Sequence, residues 1–386
     1  MLAIALTAAT LVLWIPTLVL LTEIISAIAR RPRPTPAGNV YRPRLAVLVP
    51  AHNESEHLIP TLTSITSQLQ PSDRLVVVAD NCSDDTAAIA RLHGAEVTER
   101  ECKSEQGKSY ALNFGLRFLR QDPPEVVVVI DADCRVSDPS LQKLADQCWT
   151  TGRPAQAQYQ MDRPEDAAGG RYFIAQCAWM LKTYIRPVGL DNLNLPCQLM
   201  GTGMAFPWKV IGDAEVQASL VEDLELGLTL AARRSSPKFC REAVVTSAFP
   251  TSIEAGLHQR RRWEVGSLRV AVLFAPVFAA QALLKRNVPL LVLSLDAIVP
   301  PIMLFTAVLC VAVVLGAMVL RSSSWPLTIA TLNLAAVGLS LVMAWAHFAR
   351  IPLRAADAKD TALHIIRKPL IYWRGRRLPW IRTDRR

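Results

Sequence analysis

Between residues 44 and 131 the chain alternates short apolar runs with stretches of helical spacing. The apolar runs cover residues 44–50, 75–80 and 126–131, and none of them alternates polar with apolar positions. Such continuous runs are typical of strands that are buried on both faces of a sheet. The stretches between the runs predict helices over residues 55–69, 84–92 and 108–120. Strands that alternate with helices predict an α/β fold with a mostly parallel sheet.

Much longer apolar runs lie near the two ends of the chain. Residues 2–21 form an uncharged run, and about 20 residues are enough to cross a hydrocarbon core. A secretory signal peptide is the alternative, but such a peptide has basic residues before its apolar run, and none occurs here. Residues 326–349 and 302–320 predict two further spans. Residues 288–299 precede the span 302–320. Pro300-Pro301 separates the two, since a proline pair breaks or kinks a helix.

A shorter apolar stretch covers residues 270–284 and contains Pro276. Its length of about 15 residues is less than a bilayer-crossing helix needs. We therefore expect an interfacial helix that lies along the membrane surface and holds the neighbouring domain there.

The net charge of +9 is concentrated in two segments of the chain. The chain as a whole is 51% hydrophobic and 19% charged, and this composition excludes intrinsic disorder. Residues 30–44 have a net charge of +5 and residues 350–386 one of +8, whereas residues 45–349 sum to −3. We expect no nucleic-acid partner, because both basic segments adjoin apolar runs and neither contains a recognisable binding module. By the positive-inside rule they indicate a multi-pass protein of the inner or plasma membrane, with residues 30–287 and the tail in the cytoplasm.

Acidic residues stand at the ends of two predicted strands. Asp80 ends the second run, and Asp131 and Asp133 lie at the end of the third. In open α/β sheets ligands bind outside the carboxyl ends of the strands. Asp131 and Asp133 can offer hard oxygen ligands to one Mg²⁺ or Mn²⁺ ion. For an isolated Asp-x-Asp, a solvated turn with helix-capping acids is the alternative.

Two later motifs are each weak evidence for a functional site when taken alone. Glu222 and Asp223 open a predicted amphipathic helix over residues 220–232, where acids can simply complement the helix dipole. The segment from Gln259 to Trp263, of sequence QRRRW, lies on a predicted helix over residues 252–265. Its arginines could bind anionic lipid, or form bidentate bonds to a diphosphate.

The order of these motifs resembles the D, DxD, (T)ED and QxxRW signature of the membrane-bound family 2 glycosyltransferases. Cellulose, hyaluronan, chitin and poly-N-acetylglucosamine synthases share that signature, as does ceramide glucosyltransferase. The resemblance covers about residues 44–265 and the flanking apolar runs, and it implies the GT-A nucleotide-sugar-binding fold. Val221 departs from the pattern, since many relatives have Thr there, but this position is not the base.

The resemblance also implies a role for each matching residue. The nucleotide-binding positions are Pro50, Ala51, Glu54, Asp80, Lys108 and Asp131. The metal would be held by Asp131 and Asp133, and the general base would be Asp223 with Glu222 beside it. The residues facing the diphosphate and the acceptor would be Gln259, Arg262, Trp263 and the loop Gly201, Thr202 and Gly203.

The reaction implied is an inverting transfer from a nucleoside-diphosphate sugar, with a UDP-sugar as the expected donor, to a growing polysaccharide or lipid-linked acceptor in exopolysaccharide biosynthesis. Two alternatives stay open, a non-processive glycolipid synthase and an inactive membrane scaffold or sugar-nucleotide sensor. About three spans are few for a polymer channel, so partner subunits or an oligomer would serve export. Membrane lipids are expected partners.

The predicted organisation has six parts. They are an N-terminal transmembrane anchor (1–29), a basic linker (30–43), a cytoplasmic GT-A catalytic domain (44–250), interfacial helices carrying QRRRW (251–287), two transmembrane helices (288–349) and a basic cytoplasmic tail (350–386).

Overall fold

An eight-stranded sheet forms the centre of the α/β domain in the computed structural model, which describes residues 1–29, 41–163, 170–250 and 253–348. The strands are β1 (Leu45–Ala51), β2 (Arg74–Asp80), β3 (Glu96–Arg100), β4 (Val126–Val129), β5 (Arg135–Val136), β6 (Ala155–Asp162), β7 (Met204–Pro207) and β8 (Lys238–Ala248). Their order in the sheet is β3-β2-β1-β4-β7-β6-β8-β5. The three strands predicted from continuous apolar runs are β1, β2 and β4.

The direction of the strands changes in the middle of the sheet. Strands β3, β2, β1 and β4 are parallel, as the sequence predicts. Strand β7 is antiparallel to both of its neighbours, β4 and β6, and β5 is antiparallel to β8. The sheet is therefore mixed, and the prediction of a mostly parallel sheet holds for its first half. The short apolar run of β7 gave no sign of its direction.

Helices cover the sheet and continue beyond it. They are α1 (Leu2–Val12), α2 (Trp14–Ile28), α3 (Ile59–Thr66), α4 (Thr86–Leu92), α5 (Lys108–Leu119), α6 (Ser140–Thr151), α7 (Gly170–Met180), α8 (Arg186–Asn192), α9 (Trp208–Ile211), α10 (Glu222–Ala232), α11 (Ile253–Arg269), α12 (Ala275–Leu284), α13 (Val288–Ile298), α14 (Ile302–Met318) and α15 (Trp325–Phe348). π-Helical turns join α7 to α8 and α11 to α12.

Alternate residues of β1 face two separate apolar cores. Val47 and Val49 pack with α3 and α6, while Ala46 and Leu48 pack with α5 and α10. These four side chains are fully buried. Burying a side chain of this size contributes roughly 1.5–3 kcal/mol. A sheet covered on both faces in this way explains why its central strands are apolar without alternation.

Within the described residues, three continuous helical stretches are long and apolar enough to cross a membrane: Leu2–Ile28, Gly256–Leu284 and Trp325–Phe348. The pair α13 and α14 would make a fourth if counted as one broken span, since its two helices are bent by 68° at the break. That break lies at Pro300-Pro301, where the sequence predicts one. The first and last stretches match the predicted spans of residues 2–21 and 326–349.

The stretch predicted as a short interfacial helix is longer than expected. Residues 270–284 belong to a continuous helix whose span-like part, Gly256–Leu284, has 29 residues. Pro276 does not break it, because Pro276 lies in the first turn of α12, directly after a π-helical turn. A proline is tolerated in a first turn because its missing N–H is not needed there. The helix is therefore longer than the apolar run of about 15 residues on which the interfacial interpretation was based, and the interfacial position stays a prediction.

A buried ion cluster ties the apolar helices to the α/β domain. The Nε of Arg186 in α8 lies 2.6 Å from Oε2 of Glu23 in α2, and its Nη2 lies 2.5 Å from Oδ1 of Asp296 in α13. Glu23 is 1% exposed and Asp296 is 7% exposed. Removing one partner of such a cluster would leave an uncompensated buried charge. The cluster thus fixes α2 and α13 against the same helix of the domain.

The expected membrane orientation depends on two basic segments. Both lie largely outside the described residues. These are the linker, of which residues 30–40 are not described, and the tail from residue 349 onward. The predicted division into anchor, linker, catalytic domain, interfacial helices, transmembrane helices and tail stays a prediction.

Candidate active site

One cavity of about 220 Å³ collects most of the residues singled out by the sequence. It lies where the carboxyl ends of the parallel strands β1, β2 and β4 meet, since parallel neighbours end at the same edge of a sheet. The sequence-predicted residues that line it are Pro50, Ala51, Glu54, Asp80, Lys108, Asp131, Asp133, Gly201, Glu222, Asp223, Gln259, Arg262 and Trp263.

Lys108, the first residue of α5, connects two walls of this cavity. Its Nζ donates to Oδ1 of Asp131 and, at 2.7 Å, to the backbone oxygen of Gly201. Loss of hydration lowers the pKa of Lys108, but attraction to Asp131 first and then to Glu222 and Asp223 outweighs it, so the net pKa is raised. Lys108 therefore remains a cation among the carboxylates.

The loop from Gly201 to Gly203 lies beside Lys108, but only Gly201 lines the cavity. Thr202 is fully buried behind it, and its Oγ1 accepts a hydrogen bond of 3.1 Å from the backbone N–H of Asp131. Gly203 has a φ of +63°, and a Cβ there would lie 2.8 Å from the Cβ of Ala157. Thr202 and Gly203 therefore do not line this cavity, and their expected role toward the acceptor stays a prediction.

A buried glutamine that sequence reasoning missed holds this loop. Gln156 in β6 is fully buried, and its Nε2 donates to the backbone oxygen of Thr202 at 2.9 Å. Its Oε1 accepts from the backbone N–H of Met200 at 2.8 Å. Both ends of one amide therefore bind the loop backbone. A buried amide that lost these partners would carry a desolvation cost, so the loop is fixed relative to the sheet.

Glu222 and Asp223 are the first two residues of α10, and both are half-buried in the cavity wall. Loss of hydration raises the pKa of both carboxyls. The neighbouring Asp223 raises that of Glu222 further, and Lys182 and Lys108 oppose the rise at Asp223. A carboxylate with a raised pKa is a stronger base than an ordinary one, which suits it to accept a proton.

The QRRRW segment enters the cavity from α11. Gln259 is buried, and Arg262 lies close enough to Glu222 to lower the pKa of that carboxyl. The ring of Trp263 packs against that of Trp179 with centroids 5.0 Å apart. Trp179 also meets Tyr159 edge-on at 5.1 Å, and its indole N–H donates to the backbone oxygen of Tyr159 at 3.0 Å. The motif is therefore attached to the sheet through an aromatic stack.

Several lining residues carried no signal in the sequence. They are Tyr159, Trp179, Lys182, Thr183 and Met200. Lys182 and Thr183 lie in the π-helical turn between α7 and α8, a segment without a motif. The side chain of Lys182 projects into the cavity, and its Nζ lies 5.9 Å from the centroid of the Trp179 ring. Loss of hydration lowers the pKa of Lys182, although attraction to Asp223 opposes the change.

A divalent cation fits the Asp131–Asp133 pair. Carboxylate oxygens of Asp131 and Asp133 and the Sγ of Cys134 all lie within 4.8 Å of one another. Two carboxylates are hard ligands of the kind that Mg²⁺ and Mn²⁺ prefer, whereas a thiol suits softer metals. The thiol of Cys134 is buried and donates to Oδ1 of Asp133 at 3.4 Å. The two carboxylates, rather than the thiol, are therefore the fitting ligands.

Comparison with known families and proteins agrees with this arrangement. Residues 43–266 match the model of the family described as glycosyltransferase-like family 2. The probable glycosyltransferase YdaM of Bacillus subtilis is 26% identical over 261 residues, a match that covers 61% of this chain and 58% of YdaM. The poly-beta-1,6-N-acetyl-D-glucosamine synthase of Staphylococcus epidermidis is 32% identical over 98 residues, which cover 24% of this chain and 23% of the synthase.

A solved structure shares the fold over nearly the whole chain. It is the mannosyltransferase PcManGT from Pyrobaculum calidifontis, solved in complex with GDP-Man and Mn²⁺. The match has a TM-score of 0.56 and 19% identity, and it covers 96% of this chain and 97% of that one. At that identity the likeness shows the fold, a GT-A-like α/β domain with a mixed sheet.

Proposed function

The chain belongs to the glycosyltransferase-like family 2, and from that premise we propose that it is a membrane-embedded inverting glycosyltransferase. As a family member it is an enzyme that uses a nucleotide sugar. The observation that carries the finer proposal is the meeting of four separate sequence motifs in one cavity. Asp80, Asp131, Asp223 and Trp263 all line it, although they are spread over nearly half of the chain.

The donor would occupy the sheet side of the cavity. Pro50, Ala51, Glu54 and Asp80 are the proposed nucleotide contacts, and Asp131 and Lys108 the contacts nearest the diphosphate. Arg100 supports this assignment indirectly, because its Nη1 lies 2.7 Å from Oδ1 of the buried Asp80 and so fixes that carboxylate. A UDP-sugar is the proposed donor, although the mannosyltransferase that shares the fold was solved with GDP-Man.

Asp131 and Asp133 would hold one Mg²⁺ or Mn²⁺ ion. When bound, such an ion neutralises the charge that develops on a departing diphosphate. The cations of this chain would add to that effect, Lys108 beside Asp131 and Arg262 beside Glu222. Hydrogen-bond donors fixed in advance around a developing charge stabilise the transition state, because they need no reorganisation when the charge forms.

Asp223 would act as the general base. It would accept the proton of an acceptor hydroxyl while the hydroxyl oxygen forms a bond to the anomeric carbon and the bond to the diphosphate breaks. Attack opposite to the leaving group inverts the anomeric centre, so an α-linked donor would give a β-glycoside. Gln259, Trp263 and Gly201 would orient the acceptor, and Glu222 would act beside the base.

Two acceptor classes fit a site beside apolar helices. A growing polysaccharide or lipid-linked acceptor in exopolysaccharide assembly is supported by the similarity to the poly-beta-1,6-N-acetyl-D-glucosamine synthase. A single transfer to a lipid is supported by a second, apolar cavity beside the first. For the polymer, partner subunits would serve export. We propose a plasma-membrane or inner-membrane location with the catalytic domain in the cytoplasm.

The decisive experiment uses the purified full chain in nanodiscs with Mn²⁺ or Mg²⁺ and a panel of UDP- and GDP-sugars. Release of nucleoside diphosphate and the mass of the product identify the donor and the acceptor class. Asp223→Asn should lower transfer at least 100-fold, the lower end of general-base effects, and should retain donor binding. Glu225→Gln is the matched control, because Glu225 lies on the same helix but does not line the cavity.

Two results would reject the proposal. One is transfer that is unchanged in Asp223→Asn. The other is a wild-type protein that binds nucleotide sugars and neither transfers nor hydrolyses them with any donor, which would favour an inactive scaffold or sensor.

A further inference from the structure

A second cavity of about 500 Å³ adjoins the candidate active site. The two cavities share four wall residues, Trp179, Lys182, Gln259 and Trp263. These four residues therefore form the boundary across which a molecule in the second cavity would meet the active site. Among them are the aromatic stack and the lysine that acts electrostatically on the proposed base, Asp223.

Most of the remaining wall of this cavity is apolar. Ile174, Ala175 and Ala178 line it from α7, Leu181 lines it from the π-helical turn that follows α7, and Phe249 lines it after β8. Sugar hydroxyls buried against such a wall would lack hydrogen-bond partners, which is unfavourable. A hydrocarbon chain has no such requirement, and its burial there is favourable. The chemistry of the wall therefore fits a lipid better than a glycan.

The helices that could cross a membrane supply another part of the wall. Leu20 comes from the candidate span Leu2–Ile28, and Ile302 and Met303 open the second half of the bent pair. Val299 and the two prolines at the break between those halves also line the cavity. The cavity thus extends from the active site to helices that are suited to contact hydrocarbon.

The wall also contains charged residues, both at the shared boundary and on the helices next to that boundary. Lys182 projects into both cavities, and Arg260 and Glu264 line the second one from the QRRRW helix. Arg186 is already paired with Glu23 and Asp296. A polar head would find hydrogen-bonding groups at the shared boundary, and its tail would find apolar side chains elsewhere. The wall as a whole has the polarity pattern of an amphiphile.

We propose that the second cavity holds the hydrocarbon part of a lipid acceptor whose head group bears the attacking hydroxyl. The inference rests on the proposed function and deepens it by naming the acceptor class. The hydroxyl oxygen bonds to the anomeric carbon, the bond from that carbon to the diphosphate breaks, and the diphosphate leaves with the electron pair. The hydroxyl proton passes to Asp223. The products are one glycolipid and one nucleoside diphosphate.

The test fills the cavity without touching the catalytic groups. Met303→Trp places a large ring at a lining position, and Leu304→Trp is the matched control, because its neighbour Leu304 does not line the cavity. Each protein is assayed in nanodiscs of phosphatidylethanolamine and phosphatidylglycerol that contain dioleoylglycerol, ceramide or a polyprenol. Three quantities are measured: sugar recovered in the organic phase, donor hydrolysis and nucleoside-diphosphate binding.

We expect the wild type to yield an organic-soluble product that carries one sugar. Met303→Trp should lower its formation at least tenfold and change hydrolysis and nucleotide binding less than twofold. Leu304→Trp should leave all three quantities within twofold. A water-soluble polymer as the wild-type product, or lipid transfer within twofold of wild type in folded Met303→Trp, would overturn the inference.

A second measurement does not depend on the folding of a variant. Dioleoylglycerol with a photoreactive group in one acyl chain should label the peptides that contain Ala178 and Met303 of the wild type. Labelling that avoids both peptides would overturn the inference. Hydrolysis of the donor without any lipid product would defeat this inference alone, whereas the absence of both transfer and hydrolysis would defeat the proposed function itself.

Discussion

The Nζ of Lys108 donates a hydrogen bond of 2.7 Å to the backbone oxygen of Gly201. The same ammonium pairs with Asp131, so it connects the proposed diphosphate side of the cavity to the proposed acceptor side. Gly201 has a φ of +84°, and a Cβ there would lie 3.6 Å from both Lys108 Nζ and Asp223 Oδ2. The proposed diphosphate contact, the proposed base and the proposed acceptor loop thus lie around one cation.

Replacing this cation should weaken catalysis. Lys108→Met removes hydrogen bonds to a carboxylate and to the loop, and bonds that involve a charged group contribute about 1.5–3 kcal/mol. We expect kcat/KM to fall roughly 10- to 100-fold, since 1.4 kcal/mol corresponds to about tenfold. Steady-state kinetics with saturating metal measures the effect. Lys143→Met at an exposed position is the control, and equal values for the two variants would contradict the connecting role.

The pH profile should reveal the environment of the base. Because loss of hydration raises the pKa of Asp223, kcat/KM should fall with decreasing pH at a higher pH than an ordinary aspartate would produce. Lys182 lowers that pKa, so Lys182→Met should move the acidic limb of the profile to still higher pH. Exposed Lys209→Met should leave the limb in place. A limb unmoved in Lys182→Met would show that this lysine does not act on the base.

Transfer should depend on a divalent cation. Chelation with EDTA should stop turnover, and added Mn²⁺ or Mg²⁺ should restore it, because Asp131 and Asp133 offer paired carboxylates. Asp133→Asn should raise the metal concentration for half-maximal activity at least tenfold, within the order of effects seen when metal-binding groups are altered. The exposed Asp213→Asn serves as control. Full activity in EDTA would be incompatible with this assignment.

A single methyl group on Gly203 should destabilise the protein. Its positive φ disfavours any side chain, and the added Cβ would lie 2.8 Å from Ala157 Cβ and 3.0 Å from a methyl of Val245. Overpacking of this kind costs about 1–3 kcal/mol, so Gly203→Ala should melt at a lower temperature. Gly338→Ala is the matched control, because nothing lies within 4 Å of that Cβ. A melting temperature of Gly203→Ala at or above the wild type would contradict the close packing.

Local pattern was sufficient for the elements that carry the proposed nucleotide site. The continuous apolar runs predicted β1, β2 and β4 to within about two residues, and the acid that ends β2 and those that follow β4 line one cavity. Parallel strands bring their carboxyl ends to a common edge whatever their separation in the sequence. For that reason Asp80 and Asp131 could be predicted as neighbours without any knowledge of packing.

The local sequence pattern did not predict features that depend on contacts with distant segments. Counted by itself, the apolar run 270–284 is too short to cross a membrane, but a π-helical turn joins it to α11 and the helix is continuous. In the predicted acceptor loop Gly201 lines the cavity, whereas Thr202 is fully buried and Gly203 packs against β6 and β8. Trp179 and Lys182 belong to no motif, but the ring of Trp179 packs against Trp263 of the QRRRW helix and Lys182 follows in the next π-helical turn.

By itself the sequence determined the chemical groups and the membrane-like character of the chain. Strand ends, acidic motifs and long apolar runs are properties of neighbouring residues, so periodicity and spacing express them directly. Only the tertiary structure decided what surrounds those groups. The antiparallel β7, the raised pKa of Asp223 and the apolar cavity beside the site arise from contacts between segments far apart in the chain. Hydration, charge and shape at a site depend on every segment that contributes to it. Contacts between distant segments cannot be predicted from the pattern of neighbouring residues.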